Sequence, residues 1–126
     1  SGVARGYFAE SAIGPVEEHL RALLAEEEVT LEDFRYCPHH PEGEVPAYAI
    51  LCDCRKPAPG MLLEAARELG IDAGGSWMIG DRLDDVEAGR RAGCRTVLID
   101  HGLGYDRTGD ELQEPDAVVA DLADLF

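Results

Sequence analysis

Positive charge is scarce in this chain: 11 lysines and arginines stand against 26 aspartates and glutamates, a formal net charge of −15 over 126 residues. A surface of that sign repels nucleic acid and anionic membranes, so neither is an expected partner. It also means that a phosphorylated ligand has to find a local cluster of cations inside a repelling field. Long apolar runs are missing as well, none approaching the ~20 residues that cross a bilayer. No signal-peptide pattern occurs in the first residues, and no internal repeat, low-complexity tract or linker interrupts the rest. The length sets a ceiling of one domain, and 45% hydrophobic content is ordinary for a folded chain.

Cysteine is sparse but clustered. Cys37-Pro38-His39 is followed, after a loop containing Pro41, Gly43 and Pro46, by Cys52-Asp53-Cys54. Three thiols and an imidazole are the donor set of a closed tetrahedral Zn²⁺ site. One residue between the members of each pair lets a loop backbone present both side chains to one ion. The proline- and glycine-bearing loop between them reads as irregular structure that needs a clamp. Cys37, His39, Cys52 and Cys54 are therefore expected to bind zinc, with His40 able to replace His39 if the loop winds differently. The plain alternative is a disulfide pair or scattered core cysteines. A filled four-ligand site has no open position, so zinc here is structural. Thiols in this pattern, without a secretory signal, fit a reducing cytoplasm. Cys94, at a helix-to-strand junction, reads as a small buried hydrophobe.

Arg55-Lys56-Pro57 leaves the second ligand pair directly. A clamped Arg-Lys is a phosphate-binding device, a bidentate fork beside a compact point charge. The bland reading is a solvated surface pair.

Along the chain, Pro15 to Glu27 has helical spacing with Val16, Leu20, Leu23 and Leu24 on one face, and Asp33 to Tyr36 reads as a strand delivering Cys37 to a sheet edge. Pro59 opens a helix at Gly60 that stops at Gly70. Ser76 to Ile79 and Arg95 to Ile99 read as strands, with a helix from Asp84 to Ala92 between them. A glycine-rich loop holding His101 spans 101–110, Ala117 to Val119 is a short strand, and a last helix starts at Asp121. Strands alternating with helices specify an α/β fold with a parallel sheet.

Ile79-Gly80-Asp81-Arg82-Leu83-Asp84-Asp85 is the second chemical feature. A carboxylate just past a parallel strand sits at the carboxyl edge of the sheet, where open α/β folds place ligands. Gly80 lets the backbone turn so that Asp81 faces that crevice. Hard oxygen donors suit Mg²⁺, which takes one or two carboxylates plus phosphate and water. Asp85 either backs the Mg²⁺ site from one layer further out or caps the following helix. Arg82 either contacts substrate phosphate or is solvated.

Lys56 ahead of a helix, with Gly80-Asp81 and Asp85 after the next strand, resembles the third and fourth motifs of the haloacid dehalogenase (HAD) phosphatases. The zinc ligands with Cys54-Arg55-Lys56-Pro57, and Ser1-Gly2-Val3-Ala4-Arg5-Gly6 upstream, look like the branch acting on D-glycero-D-manno-heptose 1,7-bisphosphate at its 7-phosphate. The histidinol-phosphate branch shares the zinc loop and is the close alternative. The resemblance implies a HAD-like sheet flanked by helices and phosphate-ester hydrolysis through an aspartyl-phosphate. It implies Lys56 as the catalytic cation on the phosphoryl oxygens. Ser1, Arg55, Lys56 and Arg82 would bind substrate, with Arg55 gripping a second phosphate or sugar oxygens, and Asp81 would bind catalytic Mg²⁺. The expected partner is a small phosphorylated sugar, the expected state a cytoplasmic monomer.

The Asp-x-Asp-Gly-Thr segment that supplies nucleophile and acid/base in those enzymes occurs nowhere in these residues, nor does the Thr-Asn-Gln that precedes Ser-Gly in them. The family also puts its first strand in the middle of the sheet. The chain is thus expected to be the C-terminal portion of one phosphatase domain, inactive by itself. A reading from another class, a non-catalytic zinc-stabilised module binding phosphosugars, keeps Arg55, Lys56 and Asp81 and needs no nucleophile.

Overall fold

A computed structural model of the chain describes residues 1–102, 104–105 and 109–125. It divides into two compact units, Ser1–Cys52 and Asp53–Phe126.

The first unit is built from loops around one helix, α1 (Ile13–Glu26). Its tightest packing is at Val3 and Ala4, both buried, beside the buried His40. Ala4 N donates to Pro38 O at 3.1 Å, and Ala4 O accepts from Val45 N at 2.9 Å. Gly43 is needed for that approach, because a Cβ there would stand 2.6 Å from Ala4 O. The Ser1–Gly6 loop is thereby laced to the loop carrying Cys37 and His39. The apolar stripe of α1 forms as spaced, yet Val16, Leu20 and Leu23 are exposed and no residue of the helix is buried. The expected strand at 33–36 is not formed. Asp33 turns back on its own neighbours, accepting from Phe34 N at 2.9 Å and Arg35 Nε at 2.5 Å, and among the described residues no ladder partner meets this stretch.

The second unit has helices α2 (Gly60–Leu69) and α3 (Leu83–Ala92) and strands β1 (Trp77–Gly80), β2 (Arg95–Ile99) and β3 (Ala117–Val119). The strands form one parallel sheet in the order β1-β2-β3, with Ile79 opposite Val97 and Leu98 opposite Val118. Both long helices end where glycine permits a left-handed residue, Gly70 at φ 66° and Gly93 at φ 88°. Val86, Ala88 and Ala92 of α3 and Val97 and Leu98 of β2 form the buried core. Gly89 lets α3 lie close on the sheet: a Cβ there would come within 2.6 Å of Met78 Cβ. The expected terminal helix is a short 3-10 turn, Leu122–Leu125. Among the described residues no helix is long and apolar enough to cross a membrane.

Candidate active site and metal centre

The zinc reading requires four donors close enough to share an ion. One ligand atom from each of Cys37, His39, Cys52 and Cys54 lies within 4.8 Å of the others. Cys37 Sγ is 3.6 Å from Cys52 Sγ and 3.8 Å from His39 Nδ1. Donors bound tetrahedrally to zinc stand roughly 3.3–3.8 Å apart, the range of the two Cys37 separations, and three thiols with one imidazole are the donor chemistry that the ion takes. All four cysteines are free thiols, which leaves the disulfide alternative without support. His39, not His40, joins the thiols. The His40 ring is buried, accepting from Glu42 N at 3.1 Å through Nδ1 and lying 3.0 Å from Arg5 Nη2 through Nε2. Cys94 is half-buried, and burial raises its thiol above the usual range.

Arg55 and Lys56 follow in a turn that closes on itself. Ala58 N donates to Arg55 O at 2.9 Å and Gly60 N to Asp53 O at 2.8 Å; the Lys56–Pro57 peptide is cis. A Cβ at Gly60 would lie 2.2 Å from Asp53 O, so only glycine starts α2 this close to the turn. Both cations are half-buried. Lys56 Nζ donates to Asp85 Oδ1 at 2.5 Å. Asp85 is itself buried, and its other oxygen, Oδ2, accepts from Arg82 N at 3.1 Å. One carboxylate therefore caps α3 and anchors the lysine, the pair that a buried anion needs to be tolerated.

Gly80 has a different task from the one its sequence suggests. Its φ is not positive; instead a Cβ there would lie 2.4 Å from three atoms of Asp85. The strand end is stripped bare so that Asp85 can reach it. Asp81 follows, exposed, and lines a cavity of about 170 Å³ with Leu83, Leu98, Asp100, His101 and Tyr105, at the carboxyl ends of β1 and β2. Its exposed carboxylate at that edge is a donor of the kind Mg²⁺ takes. Sequence reasoning passed over Asp100 and read His101 only as a loop residue, although the strand-end rule applied to β1 holds equally for β2. Asp100 Oδ1 is engaged with Gly102 N at 3.1 Å and Gly104 N at 3.0 Å. Arg82 is exposed, its Nε 3.9 Å from Asp84. Ser1 is exposed in the first unit, its carbonyl accepting from Arg5 N at 3.1 Å.

Residues 53–125 match the HAD-hydrolase-like family. The chain belongs to that family. Among curated proteins, the D-glycero-beta-D-manno-heptose-1,7-bisphosphate 7-phosphatase of Pasteurella multocida is 44% identical over 126 residues, covering 99% of this chain and 67% of the relative. The enzyme of the same name from Escherichia coli K12 is 42% identical over 125 residues, covering 99% of this chain and 65% of the relative. The chain thus spans about two thirds of the length of these relatives. The solved D,D-heptose 1,7-bisphosphate phosphatase of B. bronchiseptica, complexed with magnesium and phosphate, superposes with a TM-score of 0.75 at 30% identity, over 99% of this chain and 66% of that one. The HAD-like parallel sheet expected from the sequence is the fold observed, and the relatives are sugar bisphosphate phosphatases by name.

Proposed function

We propose that this chain carries the phosphate-gripping half of a Mg²⁺-dependent phosphatase that removes the 7-phosphate from D-glycero-D-manno-heptose 1,7-bisphosphate. The observation that carries the proposal is the Lys56–Asp85 pair: a half-exposed ammonium held in place by a buried carboxylate. Held this way, Lys56 meets a phosphoryl group without first losing conformational freedom, and its charge answers the charge that develops on the oxygens. Arg55, one residue earlier, offers a fork to the second phosphate or to sugar oxygens. Asp81 would hold Mg²⁺, which when bound neutralises the transferring group. Cys37, His39, Cys52 and Cys54 would hold structural zinc, fixing the chain just ahead of Arg55. Ser1 and Arg82 are further substrate contacts on this reading.

The Asp-x-Asp pair that attacks phosphorus and shuttles the proton in this family is absent from these 126 residues. The chain by itself is therefore expected to bind the bisphosphate and not to turn it over. On this reading the protein works as a cytoplasmic monomer on a small phosphorylated sugar. The test is titration calorimetry of the chain with heptose 1,7-bisphosphate and with histidinol phosphate, both with Mg²⁺, alongside phosphate-release assays. Preference for the bisphosphate, lost in Lys56→Met, is the expected result. Equal affinity for both ligands, or none for either, would refute the assignment.

A further inference from the structure

Glu10 belongs to none of the motifs above, and the proposed phosphatase chemistry makes no use of it. It opens a 3-10 turn, Glu10–Ala12. Its carboxylate takes two phenols: Oε1 accepts from Tyr36 Oη at 3.0 Å and Oε2 from Tyr48 Oη at 2.6 Å. Tyr36 immediately precedes Cys37, and Tyr48 lies in the loop between the two ligand pairs, four residues before Cys52. The Tyr48 ring also lies beside His39, centroids 6.5 Å apart, and its carbonyl accepts from His40 N at 3.1 Å. One side chain thus fastens the metal loop at its entry and again on its far side. The hydrogen bond from Tyr48, then that from Tyr36, holds the Glu10 carboxyl below its ordinary value, and each phenol is held above its own.

We propose that Glu10 is a positioning residue for the Cys37–His39–Cys52–Cys54 centre, acting through Tyr36 and Tyr48 to keep the loop closed on its ion. The inference rests on the zinc reading and adds the groups that govern how tightly the ion is kept. A loop already pinned at both ends has less freedom to lose when zinc enters, and fewer ways to open when it leaves.

The test is zinc release from the loaded chain to an excess of a chromophoric chelator. Groups that orient metal ligands typically change retention by about 10- to 100-fold when removed. Because Glu10 acts through intervening residues, Glu10→Ala and Tyr48→Phe are expected at the lower end, about tenfold faster than the parent chain. Glu10→Gln, whose amide oxygen still accepts from a phenol, should fall between. Glu17→Ala breaks the Glu17–Arg21 ion pair of the same unit while leaving both phenol hydrogen bonds to Glu10 in place, and should release at the parent rate. Unchanged release in Tyr48→Phe and Glu10→Ala overturns the proposal, and so does an equal acceleration in Glu17→Ala. Should Glu10→Ala fail to fold, Tyr48→Phe carries the test, since it removes one oxygen and keeps the ring; thiolate-to-cobalt absorption of its Co²⁺ form reports whether the site still assembles. A parent chain that takes up no zinc removes the metal reading itself, and is seen before any substitution is made.

Discussion

Asp85 spends both carboxylate oxygens on structure, one on Lys56 Nζ at 2.5 Å and the other on Arg82 N at 3.1 Å. The two functions separate by substitution. Asp85→Ala removes cap and counter-ion together and leaves Arg82 N without this acceptor, for an expected loss of about 1–3 kcal/mol in denaturant unfolding. Asp85→Asn keeps an oxygen for Arg82 N and should lose less, while still freeing Lys56. Equal losses in the two variants would mean that the cap contributes nothing.

Gly80 is predicted to be intolerant of even one methyl group. Alanine there places Cβ 2.4 Å from Asp85 Cβ, Cγ and Oδ2, so either the strand end or the aspartate has to move. Overpacking of this kind costs about 1–3 kcal/mol. Because the displaced residue anchors Lys56, Gly80→Ala should also weaken phosphosugar binding measured by calorimetry. A variant with unchanged stability and affinity would contradict the close approach seen here.

Local signals in the sequence were strong where a single segment decides the outcome. The β-branched run Thr96-Val97 before Leu98 and Ile99 marks β2, and Gly70 and Gly93 stop their helices because left-handed residues are needed there. The Cys/His spacing located the candidate metal ligands for the same reason. The Lys56–Asp85 contact spans 29 positions, and each residue had been placed in a separate motif. A clue was available: an aspartate expected inside the first turn of a packed helix needs a cation if it is buried. Asp33 to Tyr36 misled because strand character depends on a partner, and Asp33 instead bonds to its own neighbours. The stripe on α1 likewise gave the helix correctly but said nothing of what covers it.

Zinc near one equivalent per chain is expected by elemental analysis of freshly prepared, reduced protein. Stripping it with a chelator should release the backbone bonds that lace the first loop to the metal loop. Hydrogen exchange reads this directly: the amides of Ala4 and Val45, donating to Pro38 O and Ala4 O, should lose protection on chelation and regain it when zinc is returned. Protection indifferent to the metal would remove its structural role.

Asp116 offers a prediction in pH. Its carboxylate accepts from Thr96 N at 2.7 Å and Thr96 Oγ1 at 3.1 Å, with Arg90 Nη2 at 3.1 Å. The backbone bond from Thr96 is the main reason that its carboxyl is held below the ordinary aspartate value, against the opposing effect of burial. A group with a depressed folded pKa contributes stability that is fully present above its unfolded value, about 3.9, and is lost as pH falls through the folded one. Thr96 is fully buried, so Asp116→Ala leaves its N–H without this partner, costing about 1–3 kcal/mol at pH 7. Part of that difference is carried by the charge and should shrink as pH is lowered from about 5 toward 2 in a series of urea titrations. A difference that stays constant across the series would show that the hydrogen bonds, and not the charge, account for the whole effect.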